Sequence, residues 1–205
     1  MARTVTWLAL VLLPTSVSWG GPGDADEGWR VVRQEHDGLV LEARRVPDTR
    51  FEELRVRGRV ALAPEALADA AWVWNPEGPE AALVQRRRVL AESADERLVF
   101  QLIQAPIVSA RESLIRFRRE RDGARRLIRI RFHSETGADA GSPGAVTVTL
   151  VRGEWSFGSD GEGGTWLEHR CLSDPGGALA PWVVAPTQQA LALALVRDAI
   201  VRARP

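Results

Sequence analysis

The chain has 205 residues, 45% hydrophobic and 26% charged, with 27 basic residues balancing 27 acidic ones. That length suits one domain able to bury roughly 70% of its unfolded surface. The composition excludes wholesale disorder, and the zero net charge gives no electrostatic footprint for nucleic acid or for general membrane adhesion. All the basic residues are arginine, so an individual arginine says little about a choice of forked over point charge. The only cysteine, Cys171, allows no internal disulfide and leaves stability to packing.

Residues 1–20 read as a secretory signal peptide. Arg3 supplies the positive start, residues 5–13 the apolar run, and Ser16-Val17-Ser18 or Ser18-Trp19-Gly20 the small-residue cleavage site. The run is shorter than the roughly 18 apolar residues of a membrane span, and no cysteine is placed for a lipid anchor. The mature chain is therefore expected to be exported, periplasmic or secreted, with residues 21–27 a linker and 28–205 one domain.

From Trp29 to Val60 the pattern predicts three strands, broken by turn signals at Asp37-Gly38 and Pro47-Asp48. Pro64 then opens a short helix over 64–73, rich in Ala and Leu. Strands resume over 86–91, 97–104, 111–121, 125–133, 146–155 and 166–172, joined by hairpin-length turns and a longer Gly/Ala/Ser/Pro tip at 137–145. In "LIRIRFH", Ile128, Ile130 and Phe132 alternate with Arg129 and Arg131, as in a strand with one dry face. About nine strands in antiparallel order, with helices not interleaved between them, define an α+β layout.

The last element is predicted as a helix over 187–203, after a separate turn at 181–185 and with Pro186 near its start. Its segment 190–196, ALALALV, has no polar side. Such a helix is wrapped by the protein or borders something else greasy.

Catalytic signals are thin. His169 and Cys171 lie two apart on one strand face, which admits a Cys-His pair, although a packed Cys with a core or cavity-facing His fits as well. His36 and His133 have no ligand spacing for zinc, and neither a nucleophile elbow nor a phosphate loop is present, so no cofactor or metal is expected. The hairpin from Arg111 to Arg131 sets nine Arg against Glu112, Glu120 and Asp122. It reads either as a patch for anionic head groups or as the solvated face of amphipathic strands.

Four stretches resemble the START domain (steroidogenic acute regulatory protein-related lipid transfer), within the helix-grip superfamily. "GWRVVRQEHDGLVLEARRVPDTRFEELRVRGRV" is similar to its opening, and "APIVSARESLIRF" to its Pro-aromatic-Pro-Val-Ser-x-Arg-Asp motif at Val108, Ser109, Arg111 and Glu112. "VRGEWSF" resembles the strand before the last hairpin, and "TWLEHRCLSDPGGALAPWVV" the closing Asp-Pro-Gly-Gly segment, with His169 at a family Tyr position. Ala105-Pro106-Ile107 departs from Pro-aromatic-Pro, and Ala178-Leu179-Ala180-Pro181 carries one extra residue.

The resemblance implies a curved antiparallel sheet gripping the C-terminal helix, with a hydrophobic tunnel between them. Strand parity then assigns Phe100, Leu102, Ile130, Trp155 and His169 to the tunnel wall, with Trp182, Leu191 and Leu195 from the C-terminal segment. Arg111 is placed to pair inside the sheet or to touch a head group at the mouth. The implied function is binding, and transfer, of one lipid or other hydrophobic molecule by a monomer. Its partners are that ligand and a transient membrane surface, without nucleic acid. A helix-grip cyclase or hydrolase and a ligand-free interaction module are the rivals.

Overall fold

The computed structural model describes residues 28–73, 83–104, 108–135 and 141–205. The predicted signal peptide and linker lie outside these residues, as do Ala105-Pro106-Ile107 and part of the 137–145 tip. The elements are β1 (Arg30–Gln34), β2 (Val40–Arg45), β3 (Glu52–Val60), α1 (Pro64–Trp72), β4 (Val84–Glu92), β5 (Glu96–Ile103), β6 (Arg111–Asp122), β7 (Leu127–Ser134), β8 (Val146–Thr147), β9 (Leu150–Ser159), β10 (Thr165–Asp174) and α2 (Pro181–Arg202).

One antiparallel sheet runs β1-β2-β3-β10-β9-β7-β6-β5-β4, and α1 and α2 pack on one of its faces. The layout is α+β, as the sequence pattern predicts, with two helices and a sheet whose main path has nine strands among the described residues. The N-terminal meander joins the later strands through β3, which pairs with β10. That crossover puts the last strand, and His169 with it, near the middle of the sheet.

Two elements differ from the sequence expectation. The strand predicted over 146–155 is two pieces: β8 pairs parallel with β6, beyond the end of β7, and β9 pairs with β7 and β10. Ser134 marks the break, its Oγ donating to the Thr149 carbonyl at 2.7 Å and accepting from the Val151 N–H at 3.1 Å. The turn predicted at 181–185 is instead the first turn of α2, which passes through Pro186 unbroken. Pro181 has the backbone angle a helix start needs. Pro186 removes only the bond to the Trp182 carbonyl, near the start of the helix.

The Arg-rich outer face is a lattice of cross-strand pairs. Arg131 bonds Glu154 at 2.8 Å and Glu120 at 3.0 Å, Arg121 meets Asp95, and Arg116 bonds Glu135. Arg55 and Arg57 both bond the buried Glu42 at 2.7 Å. The hairpin's part of this face is solvated and internally neutralised rather than a surface of open positive charge. Arg119 points inward instead: its Nη2 donates to the Ala68 carbonyl at 2.8 Å and, with Arg97, it flanks the Trp72 ring. Two cations therefore hold the C-terminal end of α1, where the helix dipole favours positive charge.

The core lies between the sheet and the helices. Val196 and Leu193 of α2 are buried with Val56, Leu41, Ile130 and Phe157 of the sheet. Leu191 and Leu195 are less buried than these, although they too face the sheet side, because a cavity adjoins them.

Candidate ligand cavity

The floor of the cavity is set by strand alternation on β10 and its neighbours. His169 stands opposite Val56 of β3 and Trp155 of β9, and these three share the face that α2 covers. The His169 ring stacks on Trp155 with centroids 4.1 Å apart and lies 5.9 Å from Phe132. Phe132 can lie there because its cross-strand partner is Gly153, which puts no side chain beneath the ring.

Above this floor is an inner chamber of about 180 Å³. Ile115, Phe117 and Val151 wall it from the sheet, and Leu191, Ala192 and Leu195 close it from α2. An outer pocket of about 440 Å³ lies between the β2–β3 turn and the N-terminal end of α2, bordered by Arg45, Arg50, Phe51, Trp182 and Gln189. Glu52, Leu54 and Gln188 line both spaces and mark their junction. Its polar groups are tied down: Glu52 pairs with Arg30 at 2.6 Å, and Gln188 Nε2 donates to the Ser173 carbonyl at 2.9 Å.

The Asp-Pro-Gly-Gly turn delivers α2 to this position. Gly176 and Gly177 have φ of +72° and +70°, a region that strains side-chain-bearing residues, and the Asp174 carboxylate accepts from the Gly176 N–H at 2.8 Å. Arg50 donates to the Gly177 carbonyl at 3.0 Å, tying the turn to the rim of the outer pocket.

His169 is 3% exposed, and among the described residues neither ring nitrogen has a hydrogen-bond partner. Burial pushes its imidazole down to about 3, so the ring is neutral. Burial first, and the Glu53 charge second, push the neighbouring Cys171 thiol up to about 12. A thiolate–imidazolium pair needs shifts of the opposite sense, so the two groups that share the strand face do not constitute an activated nucleophile. Among the described residues no three His, Cys, Asp or Glu side chains are grouped to hold a metal.

Of the residues that sequence parity assigned to the wall, Trp155, His169, Leu191 and Leu195 line the inner chamber. Trp182 borders the outer pocket. Ile130 faces the same side of the sheet but is sealed in the core beside the chamber, 1% exposed. Arg111 lies at the end of β6 near Gly177 and bonds the Ser109 carbonyl, away from both spaces. Phe100 and Leu102 are on the opposite face, where Arg86 and Arg88 lie over the Phe100 ring; their neighbours Gln101 and Ile103 take the chamber side.

The inversion on β5 has a local cause. Val99, Phe100, Gln101 and Leu102 are all buried, so hydrophobicity does not distinguish the two faces of this strand. The usable signal is next door. On β6 Ile115 and Phe117 alternate with Arg116 and Arg118, and register places Val99 opposite Ile115 and Gln101 opposite Ser113. Residues directly opposite share a face. The junction residues Glu52 and Gln188 carried no sequence signal, since a polar residue at a pocket rim looks like any surface residue.

No protein-family model and no curated protein sequence matches the chain. Solved structures do. A STAR-related lipid transfer protein from Xanthomonas axonopodis superposes with a TM-score of 0.72 at 19% identity, covering 87% of this chain and 100% of that one. Human StAR-related lipid transfer protein 5 gives a TM-score of 0.70 at 16% identity, covering 87% of this chain and 88% of that one. With the crossover of β3 onto β10 and α2 laid over an apolar chamber, these likenesses give the chain a START-like helix-grip fold.

Proposed function

We propose that this protein is an exported, monomeric carrier that binds one lipid, or a comparable hydrophobic molecule, between its sheet and α2. The observation that supports this reading best is the apolar inner chamber adjoining an outer pocket at the exposed start of α2. Ligand pockets usually enclose about 300–1,000 Å³, and the inner chamber alone is smaller. A ligand would therefore extend past Glu52, Leu54 and Gln188 into the outer pocket. Each methylene taken out of water contributes about 0.8 kcal/mol, so an acyl chain needs no covalent step to be held. That two structural neighbours are lipid transfer proteins agrees with this reading.

The test is native mass spectrometry of the protein produced from its full sequence. The expected result is a chain shortened by about 20 residues, with a stoichiometric adduct that organic extraction removes. An adduct-free chain that also fails to take up added lipids overturns the carrier reading. A full-length mass in the exported fraction overturns cleavage.

The same reading puts the membrane contact at Trp182, 79% exposed at the rim of the outer pocket, and at its neighbour Val183, 47% exposed. An amphipathic ring with one wet edge suits a lipid interface. Trp182→Ser is expected to slow lipid transfer between vesicles at least about threefold, the loss of roughly 0.7 kcal/mol of interfacial anchoring, while leaving equilibrium lipid binding nearly unchanged. Equal transfer rates would remove Trp182 from the contact.

A further inference from the structure

We infer that His169 is a specificity-determining residue that hydrogen-bonds an uncharged hydroxyl on the ligand, so that the inner chamber selects hydroxyl-bearing lipids over equally greasy molecules without that group. The inference rests on the carrier reading and adds the polar chemistry of the cargo.

His169 is the one buried group in the chamber whose side-chain nitrogens both lack a partner among the described residues. Native proteins seldom leave such atoms unpaired, because a buried donor or acceptor without a partner loses its bonds to water and gains none. The usual remedies are closed here. Across the sheet its neighbours are Val56 and Trp155, and its ring faces meet Trp155 and Phe132, so the protein supplies hydrophobic contact on these sides. The remaining neighbour is the chamber.

Charge narrows what can stand there. Among the described residues no Arg lines the inner chamber; the guanidinium groups of Arg45 and Arg50 border only the outer pocket. A phosphate or carboxylate beside His169 would be desolvated without a counter-ion, so an anionic head group belongs outside and the inner polar group is uncharged. Burial keeps the imidazole neutral, with one N–H and one lone pair. A hydroxyl both donates and accepts, so it can pair with whichever nitrogen faces it in either tautomer. An ether or ester oxygen can only accept.

The test uses three probes of one chain length, 1-tetradecanol, methyl tetradecyl ether and myristate, each competing with a naphthalene dye bound by the delipidated protein. Wild type is expected to bind the alcohol at least about tenfold more tightly than the other two, a modest figure for a site built around a hydroxyl. His169→Phe keeps an aromatic ring in the stack and should bring the alcohol and ether to parity, the alcohol weakening more because it alone can pair with either ring nitrogen. His169→Gln, which retains a donor and an acceptor, should keep part of the preference and serves if the Phe variant folds poorly. Equal binding of all three probes by wild type, or a preference that survives in His169→Phe, overturns the inference and leaves the carrier standing. Failure of all three to bind overturns the carrier reading itself.

Discussion

Alanine at Gly153 is expected to destabilise the protein by at least about 2–3 kcal/mol and to lower Tm by about 5–10 °C. A Cβ at this position would lie 2.1 Å from the Arg170 carbonyl oxygen and 2.4 Å from Cζ of Phe132. The carbonyl belongs to the β9–β10 ladder and cannot retreat without opening the middle of the sheet. The Phe132 ring is no freer, since it lies between Phe117 and His169 at the wall of the inner chamber. One methyl group therefore either breaks a ladder or pushes an aromatic side chain into the space meant for ligand. Gly158→Ala is the matched control on the same strand. A Cβ there meets only Cδ1 of Leu127, at 3.7 Å, an ordinary contact. Reduced freedom of the unfolded chain should make that change neutral or slightly stabilising. Thermal melts of the two variants decide the matter: equal shifts would mean that the close approach at Gly153 is relieved more cheaply than the packing implies.

Gly153 also illustrates what the sequence could and could not say. "VRGEWSF" reads as a strand with Trp155 toward the core, and Trp155 is there, 5% exposed. Nothing in that string says that a phenylalanine from β7 needs the glycine, because the pairing of β7 with β9 is a long-range fact. The strands that were legible were those with one wet face: Ile128, Ile130 and Phe132 point inward and Arg131 outward because solvent and core impose different residues on the two sides. β5 was illegible for the opposite reason, being buried on both faces, with Arg86 and Arg88 over Phe100 on the outer one. Arg119 broke the rule differently. An arginine in a charged hairpin reads as solvated, yet this one is 7% exposed, beneath α1, where it bonds a helix carbonyl that appears only once the helix docks. The start of α2 was missed because proline is a strong local signal against helix, yet Pro186 lies near the helix start and removes a single backbone bond. The apolar stretch 190–196 was the most informative sequence feature for the site. It pointed to a greasy neighbour, and the inner chamber lies against Leu191, Ala192 and Leu195.

The stability of the delipidated protein is expected to fall by about 2 kcal/mol between pH 7 and pH 5, and His169→Phe should abolish that loss. Burial lowers the folded-state value of His169 from 6.5 to about 3. Between these two values the unfolded chain binds a proton that the folded chain refuses, so acid favours unfolding. The stability contributed by the neutral ring is intact above pH 6.5, declines as pH falls below it, and levels off near pH 3. The whole window is worth roughly 3 to 5 kcal/mol, at about 1.4 kcal/mol for each pKa unit. Carboxylates do not produce the same slope, and Glu168, raised by burial, gives one of opposite sign that is common to both proteins. Asp37, hydrogen-bonded by Arg197, Glu135, hydrogen-bonded by Arg116, and Asp160, held by backbone N–H groups and Arg59, all titrate below their ordinary values. Their contributions are lost at more acidic pH. His36 and His133 are exposed and present in both proteins, so they cancel in the comparison. At pH 7 the Phe variant should be at least as stable as wild type, because it trades two unpartnered nitrogens for apolar ring edge in the same stack. Urea titrations at pH 7, 6 and 5 supply the measurement. Parallel losses in the two proteins would show that His169 takes up its proton without unfolding the chain, through water admitted to the chamber, and would remove the enforced neutrality on which its selection of an uncharged hydroxyl depends.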